Sequence, residues 1–67
     1  MDDDYIIRWV VKILTPSGVA WHEREEICDD LTSAERCFTQ LKKDPNIIEV
    51  RILWGDVDIK NYRRSTL

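Results

Sequence analysis

Few side chains in this chain of 67 residues could do chemistry, and none has a partner at a useful spacing. His22, the single histidine, stands between Trp21 and Glu23. Neighbours along a strand point to opposite faces, so no His–Glu acid–base pair forms locally. Cys28 and Cys37 are the only cysteines, and no C-x-x-C occurs. With His22 they make three soft donors at poor spacing, where a structural zinc site normally takes four ligands at recognisable intervals. A Cys28–Cys37 disulfide is geometrically open and disfavoured by a reducing compartment. Ser17, Ser33 and Ser65 fall in a turn, a helix start and a tail. Neither a phosphate-cradling glycine loop nor a G-x-S-x-G nucleophile turn is present. The expectation is a protein that is not an enzyme, with no catalytic, cofactor-binding or metal-binding residues.

Trp9, Trp21 and Trp54 suggest an aromatic cage or a base-stacking platform. Strand alternation instead assigns all three to a core, where large aromatics contribute most in a small domain.

The elements that position these groups follow from periodicity. Residues 31–46 read as one amphipathic helix. Thr32 and Glu35 have capping-box spacing, Ala34, Cys37, Phe38 and Leu41 form the apolar stripe, and Asp44-Pro45 supplies the stop. Tyr5 to Thr15 alternates as a strand with Tyr5, Ile7, Trp9, Val11 and Ile13 inward. Thr15-Pro16-Ser17-Gly18 predicts a loop of about three residues with a glycine bulge, placing Val19 opposite Thr15 and Trp21 opposite Ile13. Glu23 and Glu25 then follow Trp21 onto the inner face, as expected for an edge strand protected by inward charges or for a register shifted before Ile27. Ile47 to Trp54 alternates with Ile48, Val50, Ile52 and Trp54 together, and Gly55-Asp56 pairs Trp54 with Val57 and Ile52 with Ile59. The last strand runs to about Tyr62.

The order ββαββ predicts an α+β fold of one small domain over residues 1–67, with residues 1–4 and 63–67 frayed. Its antiparallel sheet has strand order 2-1-3-4, with the helix on one face. A chain this short is near the limit for a self-sufficient core. The composition, 43% hydrophobic and 34% charged with two glycines and two prolines, excludes disorder.

Net charge is −3, unevenly spread. Residues 1–30 carry eight acids and three bases, residues 31–67 five acids and seven bases, so a general nucleic-acid binder is not the expectation. The run Glu23, Glu25, Glu26, Asp29, Asp30 reads either as a docking surface or as a solvated edge leading into the helix N-terminus. The acidic start Met1-Asp2-Asp3-Asp4 is unlike a basic signal peptide, which points to the cytoplasm. No run approaches the roughly 20 apolar residues of a membrane span.

One helix covers one face, so the other sheet face is the candidate interface. Alternation assigns to it Ile6, Val10, Leu14, Ala20, Ile47 and Leu53, interspersed with Arg8, Lys12, Arg24, Arg51 and Lys60. The partner-binding set is Ile6, Arg8, Val10, Lys12, Leu14, Arg24, Arg51, Leu53 and Lys60. The expected function is occupation of a partner protein's surface by this face or a sheet edge, as an inhibitor or accessory factor. Self-association as a homodimer is expected as well, through the outer face or through the free edge of the terminal strand Val57 to Tyr62, with Arg8, Arg24 and Arg51 meeting Glu26, Glu49 and Asp58 at the rim. The alternative is a single-stranded nucleic-acid binder using Arg8, Lys12, Arg24, Arg51, Lys60 and Tyr62.

Overall fold

The computed structural model describes residues 4–64. Its elements are β1 (Tyr5–Thr15), β2 (Gly18–Cys28), α1 (Leu31–Lys42), β3 (Ile47–Trp54) and β4 (Val57–Arg63). All pairings are antiparallel and the sheet order is β2-β1-β3-β4, as the alternation predicts. The long apolar β1 lies inside the sheet, between β2 and β3.

The helix begins two residues earlier than the capping box at Thr32 suggests. Asp30 is the N-cap, its carboxylate accepting the Ser33 N–H at 2.8 Å. A short carboxylate in extended backbone satisfies an orphan helix donor directly. At the other end the Lys43 N–H donates to the carbonyl of Gln40, and the Asp44 N–H to that of Leu41, before Pro45. The stripe packs as its spacing requires: Ala34 and Phe38 are buried, and Cys37 and Leu41 pack half-buried against the core. Ile7, Val50 and Ile52 form its fully buried floor, with Ile47 and Cys28 beside them. Each such aliphatic or aromatic side chain contributes about 1.5–3 kcal/mol on burial.

Twelve helical residues span about 18 Å, whereas eleven strand residues span about 37 Å. The helix packs chiefly on β3 and β1. β3 pairs with β1 only from Tyr5 to Val11, so beyond Lys12 the first hairpin continues as a two-stranded arm. The molecule is accordingly elongated, 44 × 19 × 17 Å.

Three registers differ from expectation. The first hairpin closes on two residues, with Thr15 opposite Gly18, Ile13 opposite Ala20 and Lys12 opposite Trp21. Gly18 adopts φ 131° as the first paired residue, and the Thr15 hydroxyl donates to its carbonyl at 2.9 Å. A one-residue change reverses every side chain of the strand. Trp21, Glu23 and Glu25 therefore lie on the face away from the helix, while Ala20, His22, Arg24 and Glu26 share the helix side with Ile13, Val11, Trp9 and Ile7.

In the second hairpin Trp54 opposes Val57 as expected, with Gly55 at φ 63°. An irregularity then opposes Ile52 with Lys60 instead of Ile59, and Ile59 is 40% exposed. Lys60 consequently sits on the helix side, 4.0 Å from Glu35, with its ammonium 5.1 Å from the Phe38 ring centre. Between β1 and β3 a shift after Val10 opposes Val11 with Ile47. Ile47, and not Ile48, is the buried member.

The tryptophans separate. Trp9 packs half-buried on the core, Trp54 stacks on Tyr5 with centroids 6.2 Å apart, and Trp21 is 53% exposed on the opposite face. Fraying was expected from Arg63 onward, but Arg63 closes β4 and Arg64 makes backbone and side-chain hydrogen bonds. Residues 65–67 and 1–3 lie outside the described residues.

Candidate interaction surface

Cross-strand registry sets the face away from the helix in five rows, because directly opposed residues share a face. At the arm tip Leu14 opposes Val19, and Lys12 opposes Trp21. The third row is Glu23, Val10, Glu49 and Arg63, and the fourth Glu25, Arg8, Arg51 and Asn61. The fifth is Ile27, Ile6, Leu53 and Asp58. The face thus has a charged middle between two apolar ends.

Arg8 and Arg51 are opposed like charges, an arrangement that repels unless each is separately compensated. Both are. Arg8 donates through Nε and Nη2 to Glu25 Oε1 at 3.2 Å, with Glu23 at 4.0 Å, and Arg51 lies 2.9 Å from Glu49. These pairs are solvent-exposed, worth roughly 0–1 kcal/mol each. Their effect is to compensate the opposed Arg8 and Arg51, while Arg63 beside Glu49 and Lys12 beside Trp21 make no ion pair among the described residues. A shallow depression of about 100 Å³ lies among Arg8, Val10, Glu23, Glu49 and Arg51. That is well below the roughly 300–1,000 Å³ of a small-molecule site.

The apolar ends are the more open parts. Leu14 is 77% exposed, Val19 52% and Ile27 63%. Leu14, Val19 and Trp21 form one patch on the arm, beyond the reach of β3.

Of the nine expected binding residues, Ile6, Arg8, Val10, Lys12, Leu14, Arg51 and Leu53 come together on this face. Arg24 and Lys60 do not. Arg24 opposes Trp9 and Lys60 opposes Ile52, both on the helix side. Ala20 and Ile47 also leave the outer set, and Glu26 and Tyr62, opposite Ile7 and Val50, lie on the helix side too. Val19, Trp21, Glu23, Glu25 and Ile27 join the outer face in their place. The signal for them was the alternation Val19, Trp21, Ile27 with Glu23 and Glu25 between, which fits one face only if carboxylates there meet Arg8.

Burial pushes the Cys28 thiol up from its ordinary value, with the neighbouring Cys37 reinforcing the shift. A protonated thiol is a poor nucleophile and metal ligand. Both cysteines are free. His22 is exposed opposite Val11, and among the described residues no three His, Cys, Asp or Glu side chains gather as metal ligands. Among the same residues no helix is long and apolar enough to cross a membrane. The chain matches no protein-family model, no curated protein and no solved structure.

Proposed function

We propose that this chain is a non-enzymatic binding protein, an inhibitor or accessory factor, that acts by seating its outer sheet face on another protein. The observation that carries this reading is the apolar patch Leu14, Val19 and Trp21, held out on an arm that neither the helix nor β3 covers. Exposed tryptophan and leucine on a two-stranded support suit a desolvated interface centre. The charged middle of the face then serves as a rim that sets orientation. Its compartment is the cytoplasm, where Cys28 and Cys37 stay reduced.

Binding of single-stranded nucleic acid is the weaker reading. Arg8 and Arg51 are matched by Glu25 and Glu49, and Arg24 and Lys60 lie on the other side of the sheet. A stacking groove needs a row of uncompensated cations, and the unpaired Lys12 and Arg63 of this face stand in separate rows on different strands.

Affinity capture from native host extract tests the assignment. Wild type and the helix-side variant Lys60→Glu should retain the same partner, and Leu14→Glu should lose it. Micromolar affinity for single-stranded RNA or DNA, falling steeply with salt and lost on Arg8→Glu or Arg51→Glu, would reverse the ranking.

A further inference from the structure

The two edges of the sheet are not equivalent. β4 is seven residues long and its ladder is broken by the irregularity at Ile59, the kind of interruption that blocks an added strand. β2 keeps unbroken registry with β1 through all eleven pairs and contains no proline. Every residue from Trp21 to Ile27 is exposed.

The direction of its free backbone groups can be read off β1. The Lys12 N–H donates to the Asn46 carbonyl at 2.7 Å, toward the β3 side. Even-numbered residues of β1 therefore turn their backbone groups to β3, and odd-numbered ones to β2. By registry the even-numbered residues of β2 bond to β1. Val19, Trp21, Glu23, Glu25 and Ile27 are left with N–H and C=O groups facing outward.

We propose that β2 is a self-pairing edge: two copies of the chain join antiparallel through it, about a two-fold axis at Glu23, and extend the sheet to eight strands. This axis is the one that gives each of the eleven residues a partner. It also brings together the exposed apolar residues at the strand's two ends. Val19 of one copy opposes Ile27 of the other, and Trp21 lies diagonal to the same Ile27, within reach of an aromatic side chain. Trp21 directly opposes Glu25, whose carboxylate is already held by Arg8. Glu23 meets its own copy, the one like-charge pair of the seam, each carboxylate 4.0 Å from an Arg8 that is shared with Glu25. On the helix side Ala20 opposes Glu26 and His22 opposes Arg24. The helix packs chiefly on β3 and β1, so two helices would flank the joined strands without colliding.

The inference rests on the reading of the chain as a protein-binding module only in making a second copy one of its partners. The outer face takes no part in the backbone pairing.

Sedimentation equilibrium of the full chain from micromolar to millimolar concentration tests it. A dimer is expected, and Val19→Lys and Ile27→Glu should each raise its dissociation constant on the order of tenfold or more. An equimolar mixture of the two variants should regain a dimer, because the heterodimer keeps one Val19–Ile27 pair and gains one Lys–Glu pair. Amide exchange at residues 19, 21, 23, 25 and 27 should slow as concentration rises. A chain that stays monomeric, variants that dimerise like wild type, or a mixture that does not recover would overturn the proposal. Leu14→Glu, which probes the outer face, should leave the dimer intact, so loss of partner capture and loss of self-pairing are separately readable.

Discussion

Arg64 Nη2 donates to the main-chain carbonyl of Lys42 at 3.0 Å, joining the residue after the last strand to the end of the helix. The same guanidinium reaches the carbonyls of Asp44 at 3.1 Å and Ile47 at 3.2 Å, and lies 5.8 Å from the centre of the Tyr62 ring. Carbonyls at a helix C-terminus carry partial negative charge and lack intrahelical donors. One side chain therefore satisfies the turn that leads from α1 into β3. Replacing it with alanine should cost about 1–3 kcal/mol, read as a lower urea midpoint with unchanged slope, and Arg64→Lys should recover only part of the loss because an ammonium lacks the planar fork.

Phe38 is the centre of the core, 2% exposed, whereas Leu41 is only half-buried one turn later. Phe38→Ala should cost about 3–5 kcal/mol, a large part of a small domain's stability. Leu41→Ala should cost less. Thermal or chemical denaturation of both variants checks the order, and equal losses would contradict the burial.

Asp30 accepts the Ser33 N–H, and that bond holds its carboxyl below the usual aspartate range. A depressed folded value means the ionised group favours the folded state. Its contribution is fully present above the ordinary aspartate pKa and fades as pH falls through the lower folded value. Asp30→Ala should therefore lower the melting temperature at neutral pH and flatten the acid limb of the stability profile. Thr32→Ala should change neither.

The parts of this fold that were legible in the sequence are those where two signals agree. The stripe Ala34, Cys37, Phe38, Leu41 ends before Pro45, and β1 alternates without a break, so helix, strand order and helix-covered face follow, whereas the capping box read at Thr32 gives way to Asp30 as the N-cap. Registers were legible only where the loop was unambiguous. Gly55-Asp56 set Trp54 opposite Val57, but nothing in β4 marks Ile59 as the residue skipped by the ladder. At Thr15-Pro16-Ser17-Gly18 two loop lengths share the same residues, and the choice between them decides the face of every side chain in β2. The candidate face inherited that choice, so seven of its nine residues, all on β1 and β3, were placed correctly while Arg24 and Lys60, on β2 and β4, were not.

The register of the first hairpin can be tested covalently. Lys12 and Trp21 oppose each other, and because the Lys12 N–H turns toward β3 this is a pair without mutual hydrogen bonds. Opposed residues of that kind have Cα atoms about 4.5 Å apart, inside the range a disulfide spans. In a background with Cys28 and Cys37 replaced by alanine, Lys12→Cys with Trp21→Cys should oxidise to an intramolecular disulfide that stabilises the arm. Ile13→Cys with Trp21→Cys should not, since those side chains lie on opposite faces. Mass spectrometry after mild oxidation and thiol blocking distinguishes the two. Bridging of the Ile13 pair in preference to the Lys12 pair would restore the three-residue loop, return Trp21 to the helix side and remove it from the proposed interface.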